Sequence, residues 1–332
     1  MQIDLKTVNV KALRNTFANV ADRIGGDKQA SRYQEATMGM QPDVNFHYRP
    51  TWDPDHEIFD PARTAIKMKD WYALKDPRQL YYGNWTMGRA RQQDAMESNF
   101  NFVETRGLIT ALPDEVRDIS LRLLVPLRHV AWGANMNNSS MCAYGYGTAI
   151  TAPCSFHAMD QLGIAQYLTR LGLLLADVEQ LDAAKQAWLN APEWQELRRY
   201  VEDSFVVQDW FELFVAQNLA LDGLLYPLIY GSIVDDYLAA RNGSAIAMLT
   251  QFMTEWHDET SRWVEAQIKV AAAESPENKA LLQQWITYWR DRAAVALAPL
   301  VKAVLPAEWA GDDLEQAITQ FNARCAKAGV IL

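Results

Sequence analysis

The chain has 332 residues, 49% of them hydrophobic, so it can form one large domain or two smaller ones around a sizeable core. Its net charge of −10, from 31 basic and 41 acidic residues, argues against a nucleic-acid partner, which requires a basic face. No apolar run is long enough to span a bilayer, since the richest, Leu219 to Tyr230, contains Asp222, Gly223 and Pro227.

The first residues, 1–6, lack the basic start and apolar stretch of a secretory signal. We therefore expect a cytoplasmic protein that does not bind a membrane. A short helix is predicted from Val10 to Ile24, where the pair Gly25-Gly26 provides a typical helix end.

The segment from Gln41 to Pro61 is rich in proline, with acidic and aromatic residues between the prolines, which excludes a regular helix. Its aromatic side chains are too apolar for free solvent: Phe46, Tyr48, Trp52 and Phe59. We predict an extended arm that either wraps a partner or folds back on its own bundle. The expected division is residues 1–62, the first helix and the arm, and residues 63–332, a single helical domain.

Capping residues and prolines predict six long helices and a short final one after the arm. The first long helix is expected at about 76–106 and is opened by Asp76-Pro77; the second runs from 113 to 135–140 and the third from 149 to 176. The fourth runs from 191 to beyond 218 and bends at Gly223 or Pro227. The fifth spans 244–273, the sixth runs from 275 to before Pro306, and Asp312 caps the short final helix. No alternating strand pattern or short-period repeat is present. The fold class is therefore all-α, a bundle of long helices.

Bundles of this size often house a carboxylate-bridged metal pair, which needs Glu-x-x-His on each of two helices. Residues i and i+3 share a helical face, so both side chains reach the same ions. The residues three before the five histidines are Val44, Asp53, Pro126, Cys154 and Thr254. The sequence thus has no Glu-x-x-His, and Asp53 with His56 lies in the arm, where no helix is expected.

Two histidines fall within predicted long helices. His157 shares a helical stripe with Cys154, Gln161 and Ile164, so we expect it to face the bundle interior; His257 lies in the fifth long helix. Each is either a core histidine with one or two hydrogen bonds, the commoner case, or a metal ligand. A single histidine without carboxylate neighbours cannot hold a pair of ferric ions.

The segments Cys154-Ser155-Phe156-His157 and Thr254-Glu255-Trp256-His257 resemble degenerate forms of the two Glu-x-x-His motifs of bacterial multicomponent monooxygenases. These are ferritin-like enzymes that hydroxylate methane, toluene and phenol. In that family another ligand Glu lies about three dozen residues before each motif. The matching positions here are near Leu124 and Leu221, both apolar, and the nearby acid is Asp222. The stretches 10–17, 48–52 and 81–85 resemble the phenol hydroxylase branch.

The resemblance implies a ferritin-like long-helix bundle, similar to ribonucleotide reductase, with a metal site that is degenerate at Cys154, His157, Thr254 and His257. It also implies a β subunit with no catalytic, cofactor-binding or metal-binding residues. In such systems the α subunit holds the di-iron centre that inserts one oxygen atom of O2 into phenol-type substrates. The α, β and γ chains form a dimer of heterotrimers, a reductase with FAD and an iron–sulfur cluster supplies electrons from NAD(P)H, and a regulatory protein completes the system.

Two other interpretations stay open. Cys154, His157, His257 and Asp222 would suit a single zinc or copper ion in an unorthodox site. Alternatively, the chain is an isolated helical scaffold or binds an apolar ligand. Four charged residues of the first long helix would either form ion pairs with a partner or face solvent: Arg89, Arg91, Glu97 and Arg106.

Overall fold

A computed structural model describes residues 12–41, 48–51 and 53–332, apart from the side chains of residues 307–310. Within these ranges the protein is helical and has no strand, which confirms the all-α prediction. The α-helices are α1 Ala18–Ile24, α2 Arg32–Thr37, α3 Tyr82–Thr105, α4 Asp114–Ile119, α5 Leu127–Tyr144, α6 Thr148–Leu175, α7 Val178–Asn190, α8 Pro192–Ser204, α9 Trp210–Phe214, α10 Asp222–Tyr226, α11 Ser244–Glu274, α12 Pro276–Val304 and α13 Ala307–Lys327. π-Helical segments lie at Ser120–Leu124, Val215–Leu221 and Pro227–Leu238, and 3₁₀ turns at Pro61–Arg63, Trp71–Ala73 and Ala239–Arg241.

The N-terminal helix is shorter than predicted in its described part, since α1 begins at Ala18. Its end is as expected. Gly25 takes a left-handed conformation (φ 80°), and its N–H donates to the Ala21 carbonyl, 3.0 Å away. The sequence also missed α2, which Ser31 opens through a reciprocal capping arrangement with Gln34.

The described part of the arm lies on the chain's own helices. Asp53 forms an ion pair of 2.6 Å with Arg63, whose guanidinium lies 5.1 Å from the ring centre of Tyr144 in α5. Just after the arm, the Ala65 N–H donates to Asp209 Oδ2 at 2.6 Å. These contacts join the described part of the arm to the chain's own bundle, while Tyr48 is 53% exposed. Contact of the arm with a partner stays a prediction, and residues 42–47 and 52, with Phe46 and Trp52, lie outside the described residues.

The prediction that Asp76-Pro77 opens the first long helix was wrong. Asp76 is buried and its carboxylate accepts from the backbone N–H and the guanidinium of Arg78, so it forms a local turn and α3 begins only at Tyr82. The predicted end near Arg106 is confirmed, because Arg106 is the C-cap of α3.

Helices α5 and α6 form a hairpin joined by a tight turn at residues 145–147. The bounds of α6 are within one residue of the predicted 149–176. By contrast α5 continues to Tyr144, past the predicted end at 135–140. The residues read as a helix end, Asn137 and Asn138, point their amides into core hydrogen bonds instead.

The predicted fourth helix is in fact two helices. The first, α8, ends at Ser204, and a new helix begins at Trp210 because the Asp209 carboxylate accepts from the N–H groups of Phe211 (2.9 Å) and Glu212 (3.1 Å). The sequence reading also missed α7, which is capped by Asp177.

From Trp210 to Arg241 the chain runs as one continuous helical stretch that alternates between α and π geometry. Near Gly223 and Pro227, where a bend was predicted, the helix changes type, from π to α at Asp222 and from α to π at Pro227. Contrary to the sequence prediction, this stretch is apolar enough to cross a membrane by length and composition, but 94% of its most apolar window is buried inside the protein. It packs against α5, α11 and α12 as the centre of the core.

The C-terminal helices can be compared with their predicted start and end residues. α11 and α12 match the expected bounds, and the Ser275 side chain caps α12 by accepting from the Asn278 N–H at 3.1 Å. The last helix was predicted to be short and capped by Asp312, whereas α13 spans 21 residues from Ala307.

Candidate functional site

The centre of the bundle contains a buried histidine–aspartate pair. His157, in the middle of α6, is 2% exposed, and its Nε2 lies 3.2 Å from Asp222 Oδ2. Asp222 stands where the π-helical segment Val215–Leu221 gives way to α10. The orientation predicted for His157, toward the interior, is therefore confirmed.

The second oxygen of Asp222 is bound by an amide. Gln217 Nε2 donates to Asp222 Oδ1 at 2.9 Å, and Gln217 Oε1 accepts from Asn137 Nδ2 at 2.8 Å. Asn137 also donates to Ser204 Oγ at 2.8 Å, so the network joins α5, α8 and the central stretch. Because each oxygen of the carboxylate already has a partner, burying its charge is less costly.

Aromatic and amide groups surround the imidazole. Its ring centre lies 4.8 Å from that of Trp256, edge to face, and Gln161 Nε2 lies 3.4 Å from His157 Nε2. Gln161 in turn accepts from the Tyr226 hydroxyl at 3.2 Å, and burial raises the pKa of Tyr226 well above its ordinary value. Among the described residues, His157 Nδ1 has no hydrogen-bond partner. A cavity of about 10 Å³, of the order of one water molecule, adjoins Asp222, Gln161 and Tyr226.

Cys154 lies one turn before His157 on the same helix, where the family's motif has a glutamate. It is 1% exposed, and burial raises the pKa of its thiol well above the ordinary value.

Thr254 and His257 lie on the side of α11 next to a surface cleft, and His257 is itself buried, at 9% exposed. Thr254 is partly exposed, and its hydroxyl donates to Asp235 Oδ2 at 3.4 Å. The His257 ring stacks on Tyr226, with ring centres 5.5 Å apart and planes at 5°. Both residues line a surface cleft of about 360 Å³, so they do not face the His157–Asp222 pair, whereas Trp256 between them contacts the His157 ring. Burial, with a contribution from Arg324, lowers the pKa of His257 to about 3, so the ring is neutral.

The residues present do not fit a carboxylate-bridged di-iron pair. The positions expected for the further glutamates, Leu124 and Leu221, are fully buried and apolar. In the described part of the chain, no group of three or more His, Cys, Asp or Glu side chains is placed to hold a metal ion. Of the unorthodox set Cys154, His157, His257 and Asp222, His157 and Asp222 make a direct contact.

A second buried polar centre lies one turn further along α6, and it was not predicted from the sequence. Asp160 accepts from Arg89 through two hydrogen bonds of 2.8 Å and from the indole N–H groups of Trp85 and Trp256, each at 3.0 Å. Arg89 also donates to Glu259 of α11 at 2.9 Å. Burial alone disfavours its charge, but its hydrogen bonds to Asp160 and Glu259 outweigh burial and raise the pKa of Arg89 above its ordinary value.

The other three charged residues for which a partner was predicted also make contacts within the chain. Glu97 pairs with Arg170 at 2.7 Å, Arg91 Nε donates to the Met87 carbonyl at 3.3 Å, and Arg106 lies over the Phe102 ring. One sequence signal pointed to the buried centre: Asp160 is the only charged residue between Arg128 and Arg170.

Known proteins resemble this chain over most of its length. A family model described as Methane/Phenol/Alkene Hydroxylase matches residues 52–275. The oxygenase component DmpL of phenol 2-monooxygenase from Pseudomonas sp. strain CF600 is 51% identical over 304 residues, 91% of each chain. The hydroxylase component subunit beta of the toluene-4-monooxygenase system from Ectopseudomonas mendocina is 26% identical over 257 residues, 74% of this chain and 77% of the other.

A crystal structure of xenon-pressurized phenol hydroxylase from Pseudomonas sp. OX1 superimposes with a TM-score of 0.92 at 42% identity, covering 99% of both chains. The ferritin-like bundle predicted from the sequence is thereby confirmed, as is the resemblance to the phenol hydroxylase branch. Relatives that are 51% and 44% identical are oxygenase components of phenol 2-monooxygenases, and the chain belongs to the methane/phenol/alkene hydroxylase family.

Proposed function

We propose that this chain is the non-catalytic β subunit of a di-iron phenol hydroxylase. One oxygen atom of O2 would enter a phenol-type substrate at a partner α subunit, and this chain would support that subunit. The observation that favours this role is the His157–Asp222 pair, whose carboxylate is bound by the imidazole and by the Gln217 amide within a shell of amides and indoles. Four positions, Cys154, His157, Thr254 and His257, are then degenerate ligand positions.

The mechanical contribution follows from the two buried centres. Asp222 links α6 to α5 and α8 through amides, and Asp160 links α6 to α3 and α11 through Arg89. Five helices are thus held by directional bonds as well as by apolar packing. Ligands in an active site keep their geometry only when the surrounding shells are rigid. A stiff subunit packed against the α helices would supply part of that rigidity.

The assembly proposed with this role follows the family resemblance. The chain would join a catalytic α and a small γ subunit as (αβγ)2 in the cytoplasm, and a regulatory protein and a reductase would act with it. It would bind no cofactor itself: the di-iron centre belongs to α, and FAD and an iron–sulfur cluster belong to the NAD(P)H-dependent reductase. Residues 1–62 would form the arm region and residues 63–332 a single helical domain.

Metal analysis of the assembled hydroxylase tests this proposal. The chain is co-expressed with its α and γ partners, and iron, zinc and copper are measured per polypeptide in the purified complex. The variants are Cys154→Ala, His157→Gln and Asp222→Asn, with Asp118→Asn as an exposed control (its side chain is 59% exposed). We expect equal metal content in all of them, because the iron is held by α. Loss of a stoichiometric metal in Cys154→Ala or His157→Gln would show an unorthodox metal site in this chain.

A further inference from the structure

A surface cleft of about 360 Å³ opens between α11, α13 and the π-helical segment Pro227–Leu238. Three carboxylates of the described chain line it: Asp236 on the π-helical segment, Asp258 on α11 and Asp313 on α13. Burial raises the pKa of Asp313, and the nearby charges of Asp236 and Asp312 raise it further. Like charges at this separation destabilise one another unless a cation lies between them. We call this cavity the acidic cleft.

The basic residue that lines the acidic cleft, Arg324, has its charge compensated elsewhere. Its Nη2 donates to the Gly223 carbonyl at 2.6 Å, and its Nε lies 3.6 Å from Glu265 Oε1. The guanidinium therefore pairs with Glu265, and the three carboxylates of the cleft keep an excess of negative charge.

His257 is the second, independent sign of a ligand. The residue is 9% exposed, and among the described residues neither nitrogen of its ring has a hydrogen-bond partner. The ring lines the acidic cleft, so these nitrogens open into it. Burial and the charge of Arg324 keep the imidazole neutral, which makes one of its nitrogens an acceptor without a donor. Buried acceptors are usually paired, and a ligand that donates an N–H would pair this one.

The polar groups are divided between two ends of the acidic cleft. At one end Asp313 accepts from the Ser232 hydroxyl. At the other end the His257 ring stacks on Tyr226, with ring centres 5.5 Å apart, and Asp258 follows directly on α11. Tyr226 and Ser232 are six residues apart on one helical stretch, so the ends are separated by at most about 9 Å along its axis. In the described part of the chain no three such ligand groups converge on one point, so a single metal ion is not the cation that fits.

We propose that the acidic cleft binds a short aliphatic diamine as its dication. One ammonium group lies between Asp313 and Asp236, and the other donates to the His257 ring and pairs with Asp258. Two charges joined by a few methylene groups match the two ends, whereas a metal ion has its charge at one point. An ammonium group has three N–H donors and no acceptor, which suits carboxylates and a neutral imidazole. The volume of the cleft is in the range of small-molecule sites.

Three variants of the acidic cleft and two matched controls test the proposal. Asp313→Asn removes a charge at one end, and His257→Phe keeps a ring at the other end without its nitrogens. Gly231→Leu fills the cleft, because Gly231 lines it and a Cβ there meets no atom within 4 Å. The controls are Asp118→Asn, whose side chain is 59% exposed on α4, and Gly88→Leu on α3, where a Cβ also meets nothing within 4 Å.

The full-length chain is titrated with putrescine, propylamine, magnesium chloride and zinc chloride at equal ionic strength, and dissociation constants are measured by isothermal titration calorimetry. We expect each cleft variant to weaken putrescine binding at least tenfold, while both controls keep the wild-type value. Propylamine should bind at least tenfold more weakly than putrescine, because its single charge reaches only one end. Putrescine should also raise the melting temperature of the wild type and of both controls, but not that of Gly231→Leu.

Several results would overturn the proposal. No binding of putrescine to the wild type, or equal binding to cleft variants and controls, would exclude the site. Displacement of putrescine by magnesium at equal charge would show diffuse counter-ion association. Stoichiometric zinc binding that His257→Phe abolishes would identify a metal site instead. If putrescine does not bind and Asp313→Asn releases a partner chain from the purified complex, the cleft holds a basic side chain of that partner and the proposal is wrong.

Discussion

Arg89 holds Asp160 in a bidentate ion pair, with Nε 2.8 Å from Oδ1 and Nη2 2.8 Å from Oδ2. The side chain of Asp160 is 4% exposed and that of Arg89 15% exposed. A carboxylate buried to this degree depends on its partner, because without it the charge has neither water nor a cation beside it.

Replacing Arg89 should therefore lower the stability of the folded protein. We expect Arg89→Met to reduce the free energy of unfolding by about 3–5 kcal/mol, measured by urea unfolding with tryptophan fluorescence. The control is Arg199→Met, which breaks an exposed pair with Glu196 of 3.0 Å and should cost less than about 1 kcal/mol. Adding Asp160→Asn to Arg89→Met should restore part of the loss. Equal losses for Arg89→Met and Arg199→Met would contradict the buried role of this pair.

The Asp222 carboxylate should stabilise the folded protein through its shape and the hydrogen bonds that it accepts. Asp222→Leu leaves the Gln217 amide and the His157 ring without their acceptor and should cost about 2–4 kcal/mol of stability. Asp222→Asn keeps one oxygen acceptor at the same place and should cost roughly half as much or less. Thermal unfolding of the two variants gives the comparison, and an Asn variant as unstable as the Leu variant would count against the network.

His257 should make the protein less stable in acid. The folded-state pKa of about 3 is below the ordinary value near 6.5, so below pH 6.5 the unfolded chain takes up a proton that the folded chain does not. Stability from this residue is thus present above pH 6.5 and is lost as the pH falls toward 3. At pH 5 the loss is about 2 kcal/mol.

The variant His257→Gln isolates this effect. Its drop in unfolding free energy between pH 7.5 and pH 5.0 should be smaller than that of the wild type by about 2 kcal/mol. The remaining drop includes His129, whose pKa burial lowers to about 4. Identical pH dependence in the variant and the wild type would show that His257 has the same pKa in the folded and the unfolded protein.

The three cysteines should differ in reactivity toward iodoacetamide. Cys142 is partly exposed, whereas Cys154 and Cys325 are buried, and burial raises the pKa of Cys325 to about 12. Since the thiolate is the nucleophile, Cys142 should be alkylated first in the folded protein and the other two only after unfolding in urea. Peptide mass spectrometry resolves the three sites. Rapid alkylation of Cys154 under native conditions would contradict its position in the core.

The parts of the fold that the sequence predicted well are those with local signals. Ser275-Pro276 marks the start of α12, and Gly25 ends α1, because capping and backbone freedom act over a few residues. The predictions failed where a distant partner decides. Asp76 would cap a helix, but its carboxylate binds Arg78 beside α11, and Asn137 would end α5, but its amide binds groups on α8 and the central stretch.

For the candidate site, too, the predictions from local patterns succeeded and those that depend on distant partners failed. Helical periodicity correctly placed His157 in the interior, since Cys154 and Ile164 on its stripe are apolar. It did not show that Thr254 and His257 line a surface cleft, because the rotation of α11 depends on its packing against the π-helical central stretch. The bond between Arg89 and Asp160 joins residues 71 positions apart, and no local pattern indicates such a pairing.

Asn138 and Asn218 bind each other reciprocally in the core, each amide nitrogen 2.9 Å from the other's oxygen. Apolar side chains alone would tolerate several alignments of α5 along the central stretch at similar energy. A slip by one residue, about 1.5 Å along the axis, would separate both amides and leave four hydrogen-bonding groups unsatisfied. The pair therefore selects one axial register, much as a buried asparagine does in a coiled coil. In the proposed β-subunit role, this single alignment would keep the outer helices at fixed positions.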